Sequence, residues 1–144
     1  MRKIATIFVV TLIVLCITRS VSAQDQKAVT ITADPINRVV SSPRERVNIR
    51  VIIRIEPNRN NRNLIFEYDS EDGEYGRKDI QLDGENSPRI FNISDARYFG
   101  REGFLLSAGH YKLRATVERS TGKNEVASVE VTIIAGEEIG QDGR

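Results

Sequence analysis

Arg46-Val47-Asn48-Ile49-Arg50-Val51-Ile52-Ile53-Arg54-Ile55-Glu56 is the stretch whose reading decides the fold class. Val47, Ile49, Val51, Ile53 and Ile55 fall on one side; Asn48, Arg50, Arg54 and Glu56 fall on the other, together with Ile52. Successive side chains of an extended chain point to opposite faces, so a period of two describes a half-buried β-strand, whereas a helix places apolar residues three and four apart. The alternation returns in Tyr111-Lys112-Leu113-Arg114-Ala115-Thr116-Val117 and in Ala127-Ser128-Val129-Glu130-Val131-Thr132-Ile133. Shorter candidates occupy residues 28–33, 63–68, 78–82 and 89–93, which makes seven strands.

The breaks between these strands carry turn chemistry: Asp34-Pro35, Ser42-Pro43, Glu56-Pro57-Asn58, Asp72-Gly73, Asp83-Gly84, Ser87-Pro88 and Ser120-Thr121-Gly122-Lys123-Asn124. Residues 94–100 alone read as a helical turn, with Ser94 or Asp95 as the cap. Seven short strands at this spacing predict an all-β chain folded as an antiparallel β-sandwich.

Leu106-Ser107-Ala108-Gly109-His110-Tyr111, running into the alternating strand that ends at Val117, resembles the penultimate-strand signature of immunoglobulin-like and fibronectin type III-like sandwiches. In those domains a Leu-x-x-Gly-x-Tyr element leads from a turn into a strand, followed by a Gly-containing hairpin and a last strand. Residues 120–124 and Val129-Glu130-Val131-Thr132-Ile133 fill those places here. The resemblance implies a tyrosine corner built from Leu106, Gly109 and Tyr111, with the Tyr111 hydroxyl bonded back to nearby backbone. The cysteine pair and core Trp of antibody-type domains are missing, so the chain resembles the disulfide-free, bacterial-style branch. That resemblance implies a fold and no catalytic residue.

The chain begins with a short cationic start, Met1-Arg2-Lys3, and an apolar run over residues 4–17 that leads to Val21-Ser22-Ala23. This is the pattern of a cleavable secretory signal, with cleavage expected after Ala23 and a secreted or periplasmic product. The run falls short of the roughly 20 residues that span a bilayer, which sets a retained anchor behind cleavage. Lipid modification at Cys16 is a further alternative, opposed by Leu15 where a small residue is preferred. The expected organisation is a signal at 1–23, a sandwich domain at 24–135 and a flexible tail at 136–144.

The 144 residues hold 21 Lys and Arg against 20 Asp and Glu, with one His, one Cys and no Trp. Losing Arg2, Lys3 and Arg19 with the signal leaves 18 basic residues against 20 acidic, a net charge of −2, and Cys16 leaves too. A near-neutral chain lacks the concentrated basic footprint that nucleic acid requires. One His and one Cys exclude multi-histidine metal centres and thiolate zinc clusters. His110 is the only possible imidazole base, and alternation sets it on the exposed side, so no catalytic residue is assigned.

Three groups of residues are candidate sites. Arg50 and Arg54 project from one strand face about 13 Å apart, from about 3.3 Å per residue, and guanidinium forks suit carboxylates and phosphates. The opposing expectation pairs these arginines across strands with Glu67, Glu118 or their like. Tyr98, Phe99, Arg101 and Phe104 form an aromatic crossover that serves either as a contact surface for a protein or sugar, or as a plug for one end of the sandwich. Asp69, Glu71, Asp72 and Glu74 form an acidic loop able to offer oxygens to Ca2+, although its glycine spacing departs from an EF-hand; the same loop also reads as a solubilising hairpin turn. Asn92-Ile93-Ser94 is a glycosylation sequon in a host that modifies exported chains.

The function expected from these readings is a non-enzymatic binding or structural module that presents loops or an edge strand to a protein or anionic cell-envelope partner. It does not span the membrane after signal cleavage. The alternatives are a metal-assisted carbohydrate-binding module and, behind it, a small secreted hydrolase.

Overall fold

β1 (Val29–Asp34) buries Val29 and Ile31 and exposes Thr30 and Thr32, and pairs antiparallel with β4 (Arg50–Ile55). On its far side β4 pairs antiparallel with β7 (Arg89–Asn92), completing a three-stranded sheet. The other sheet has five strands in the order β2 (Asn37–Val40), β10 (Glu125–Ala135), β9 (Gly109–Arg119), β5 (Asn61–Ser70) and β6 (Tyr75–Gln81). A separate short pair joins β3 (Val47–Asn48) to β8 (Leu105–Leu106), and one helical turn, α1 (Ala96–Phe99), lies in the crossover. This computed structural model describes residues 27–136. The expected signal at 1–23 lies outside the described residues, as does the expected tail beyond Gly136.

The inward residues of both sheets form one core. Val51, Ile53 and Ile55 from β4 meet Leu64 and Phe66 from β5, Leu113, Ala115 and Val117 from β9, and Val131 and Ile133 from β10. Burying a side chain of this size is worth about 1.5–3 kcal/mol, and the period-two pattern delivers such residues to the same face of each strand. Asn61 is the one fully buried polar residue among those described. Its amide donates to the Glu56 carbonyl and its oxygen accepts from Arg119 Nε, so its burial is compensated.

All seven expected strands are present within one or two residues of their predicted cores or extended beyond them, and four details differ. The stretch 46–56 is not one strand: it breaks at Ile49, whose N–H donates to the Phe104 carbonyl at 2.8 Å. Ser94 spans the break, its hydroxyl donating to the Ile49 carbonyl and accepting from the Val51 N–H, both at 2.8 Å. Ser94 is therefore a strand bridge and not a helix cap. Asp95 holds the cap position of α1, but its carboxylate accepts from the Asn92 amide instead of capping the turn.

β2 and β8 are additional strands. The sandwich is antiparallel as expected except at one pair, where β2 runs parallel to β10. β1 ends at Asp34, and Pro35, which has no N–H to continue a ladder, follows it where the chain leaves the β4 sheet. It carries on alongside β10 of the opposite sheet.

Candidate functional site

On the outer face of the three-stranded sheet, register places Arg54 between Thr30 and Ile90, and Ile52 between Thr32 and Asn92. Arg50 and Arg54 both point outward and are exposed. The cross-strand pairing with Glu67 or Glu118 is not what forms. Arg54 Nε lies 2.7 Å from Glu56 on its own strand, and Glu67 belongs to the other sheet, where it meets Arg77 and Arg114. Asp34 stands opposite Arg50 in register, yet Arg50 makes no ion pair among the described residues.

The aromatic crossover divides. Phe104, expected among the contact residues, is 1% exposed and sits in the core, so it offers no surface. Its ring packs edge-on against Phe66 and Tyr68, and Phe99 packs edge-on against Phe66. Apolar rings here follow the hydrophobic gain of burial, which the plug reading anticipated. Tyr98 is half-buried beneath the Arg97 guanidinium, and Arg101 is exposed. Tyr75, at the start of β6, is 59% exposed but pairs with no other ring among the described residues, so the rings do not assemble into a stacked platform.

The acidic loop is the β5–β6 hairpin turn, closed by Ser70 N–H to the Glu74 carbonyl and Gly73 N–H to the Ser70 carbonyl. Its carboxylates diverge. Glu74 accepts from the Tyr111 hydroxyl at 3.2 Å, whereas Asp69 and Glu71 line a groove of about 300 Å3 with Ser70, His110, Lys112, Glu130 and Thr132. No group of three or more His, Cys, Asp or Glu side chains is arranged to hold a metal ion among the described residues. His110 is exposed, with Nδ1 3.2 Å from Thr132 Oγ1. No carboxylate among the described residues hydrogen-bonds to that ring, so the base–orienter pairing of a hydrolytic triad is not formed among them.

Tyr111 makes the corner. Its hydroxyl donates to the Ser107 carbonyl at 3.1 Å, Leu106 is fully buried, and the ring lies so close to Gly109 that a Cβ there would stand 3.2 Å from it. Burial is the largest effect on the phenol and holds its pKa above the ordinary 10.0; the bonds to Ser107 oppose this and Glu74 adds to it. Asn92 of the sequon is half-buried and tied to Asp95, while the Ser94 hydroxyl is engaged at the strand break.

One feature escaped the sequence. β2 pairs with β10 only over residues 132–135, which leaves residues 125–131 of β10 bonded to β9 on one side and to no strand on the other. Thr132 and Gly136 send their N–H groups toward the β2 side, to Ile36 and Val40. By the period of two, Val126, Ser128 and Glu130 direct their backbone groups the same way, past the end of β2. Beside this edge runs a cleft of about 510 Å3 walled by Lys27, Val29 and Ile31 on one side and Glu125, Val126 and Ser128 on the other. Four of the six exposed large apolar residues among those described, Ile36, Val39, Val126 and Ile134, lie on β2, on β10 or just before β2. The signal for it was the four-residue strand 37–40, too short to show an alternation.

The strand order and the Tyr111 corner define the class: a disulfide-free sandwich of the immunoglobulin-like and fibronectin type III-like kind. No family model matches the chain, and no curated protein matches it. Among solved structures it is similar to a CARDB domain from Pyrococcus furiosus in complex with di-metal ions, at 15% identity and a TM-score of 0.45, covering 76% of this chain and 93% of that one. It is also similar to the fn3 domain of the human collagen alpha-1(XX) chain, at 14% identity and a TM-score of 0.40, covering 81% and 89%. The architecture rests on the strand order itself, independent of either likeness. No helix among the described residues is long and apolar enough to cross a membrane.

Proposed function

We propose that this domain is an exported, non-enzymatic binding and assembly module that recognises an extended segment through the exposed edge of β10. The observation that supports it is the run of backbone donors and acceptors at Val126, Ser128 and Glu130, left without a partner strand beyond the end of β2 among the described residues and bordered by a cleft of mixed polar and apolar lining. An open edge recognises a strand through main-chain bonds, while alternate side chains supply selectivity. The test is capture from the organism's own cell envelope by the mature protein and by Ser128→Pro. Proline at 128 removes an outward N–H and spares the β9 ladder, so capture is expected to fall while the fold persists; undiminished capture by the variant overturns the reading.

A second surface supports contact with an anionic envelope component. Arg50 and Arg54 share the outer face of the three-stranded sheet, and Arg50 forms no ion pair among the described residues. Guanidinium groups so placed suit phosphate or carboxylate ligands.

A further inference from the structure

We infer that the occupant of the β10 edge is β10 of a second copy of this chain, paired antiparallel about Ser128. The inference rests on the proposed strand-recognition role of that edge and names its partner. The open part of β10 comprises residues 125–131, seven positions with Ser128 at the centre. An antiparallel partner that brings Ser128 opposite Ser128 sets residue 125 against 131, so the register uses the whole open length and stops where β2 begins. The same register sets Val126 against Glu130 and Ala127 against Val129.

Hydrogen-bond parity agrees with this register. Antiparallel strands exchange bonds between directly opposed residues whose groups both face the seam. Val126, Ser128 and Glu130 face it in each copy, so Ser128 would bond Ser128 across the two-fold axis, and each Val126 would bond a Glu130. Residues of the other parity are committed to β9.

The side chains agree as well. On the inward face, Ala127 of one copy meets Val129 of the other; both are half-buried and pack against the core, so pairing covers apolar surface. On the outward face, Glu130 of the second copy arrives opposite Val126, with Lys112 of its own β9 beside it in register. The two Glu130 side chains stay four positions apart along the seam. A register centred on Glu130 would oppose those carboxylates directly, and like charges in cross-strand positions are destabilising. The product is an isologous dimer whose five-stranded sheets join edge to edge.

The test is the molar mass of the mature protein by light scattering across the micromolar range, with amide exchange read at Val126, Ser128 and Glu130. A dimer whose exchange at these three positions slows by tenfold or more with rising concentration is expected. Ser128→Lys, which sets two ammonium groups face to face at the axis without altering the backbone, is expected to give a monomer that melts where dilute, monomeric wild type melts, and Ser128→Pro a monomer that still folds cooperatively. A monomer at every concentration overturns the inference, as does a dimer that persists in both variants. Envelope capture separates this result from the broader reading. A monomeric wild type whose capture Ser128→Pro still abolishes overturns the second copy as occupant and leaves edge recognition standing. A monomer whose capture is indifferent to the substitution overturns both.

Discussion

The hydroxyl of Tyr111 lies 3.1 Å from the carbonyl of Ser107, four residues upstream, and 3.2 Å from Glu74 of the β5–β6 turn. One side chain thus ties the approach to β9, the strand itself and the acidic hairpin together. Tyr111→Phe keeps the ring and removes the ties. A net loss of about 1 kcal/mol is expected in urea unfolding at neutral pH, in line with a single partly buried hydrogen bond. The folded state holds this phenol proton to higher pH than the unfolded chain does, because burial raises its pKa above 10.0. Its contribution is therefore intact below the ordinary phenol value and is lost as pH climbs through the raised one. Tyr111→Phe should flatten the alkaline fall in stability, leaving the share due to Tyr68, which burial and Glu74 also raise against an opposing effect of Arg46.

Phe104→Ala removes a ring that is 1% exposed and packed on Phe66, Tyr68 and Phe99. The expected cost is about 3–5 kcal/mol, the range for emptying an aromatic site in a core. Arg101→Ala, three residues earlier on an exposed turn, should change stability by less than about 0.5 kcal/mol. Thermal unfolding of the pair separates core from surface within one crossover, and equal effects would contradict this division.

Ser94→Ala leaves the Ile49 carbonyl and the Val51 N–H without the hydroxyl that joins them at the β3–β4 break. Unpaired, partly buried backbone groups cost about 1–3 kcal/mol, and that loss should appear with faster amide exchange at Val51. Exchange at Val51 unchanged from wild type would show that the break needs no bridge.

Arg50→Glu with Arg54→Glu reverses the outer face of the three-stranded sheet. Arg54 loses only an exposed pair with Glu56, so stability should shift by less than about 1 kcal/mol. Retention on vesicles rich in phosphatidylglycerol should fall severalfold and should fall likewise with added salt for the wild type. Equal retention of both proteins would remove the anionic-envelope contact.

The alternation in 46–56, 111–117 and 127–133 was enough to read the strands, because burial of one sheet face leaves a period-two trace in the chain itself. The Tyr111 corner was legible for a related reason, since Leu106, Gly109 and Tyr111 are close in sequence. Phe104 was not legible as core: Tyr98-Phe99-Gly100-Arg101-Glu102-Gly103-Phe104 has no period, and only packing against Phe66, distant in sequence, buries that ring. The partners of the arginines were equally hidden, because cross-strand neighbours depend on which sheet each strand joins.

What the sequence by itself determined is the all-β class, the seven principal strands and the corner, each written in local spacing. What the tertiary structure alone decided is the edge. Nothing in Asn37-Arg38-Val39-Val40 announces that the chain, once past Pro35, will lie parallel to β10 and stop after four residues. The open length of β10 exists because two strands nearly a hundred residues apart in the chain meet over part of their extent, and unpaired backbone groups are a property of that meeting and not of either strand.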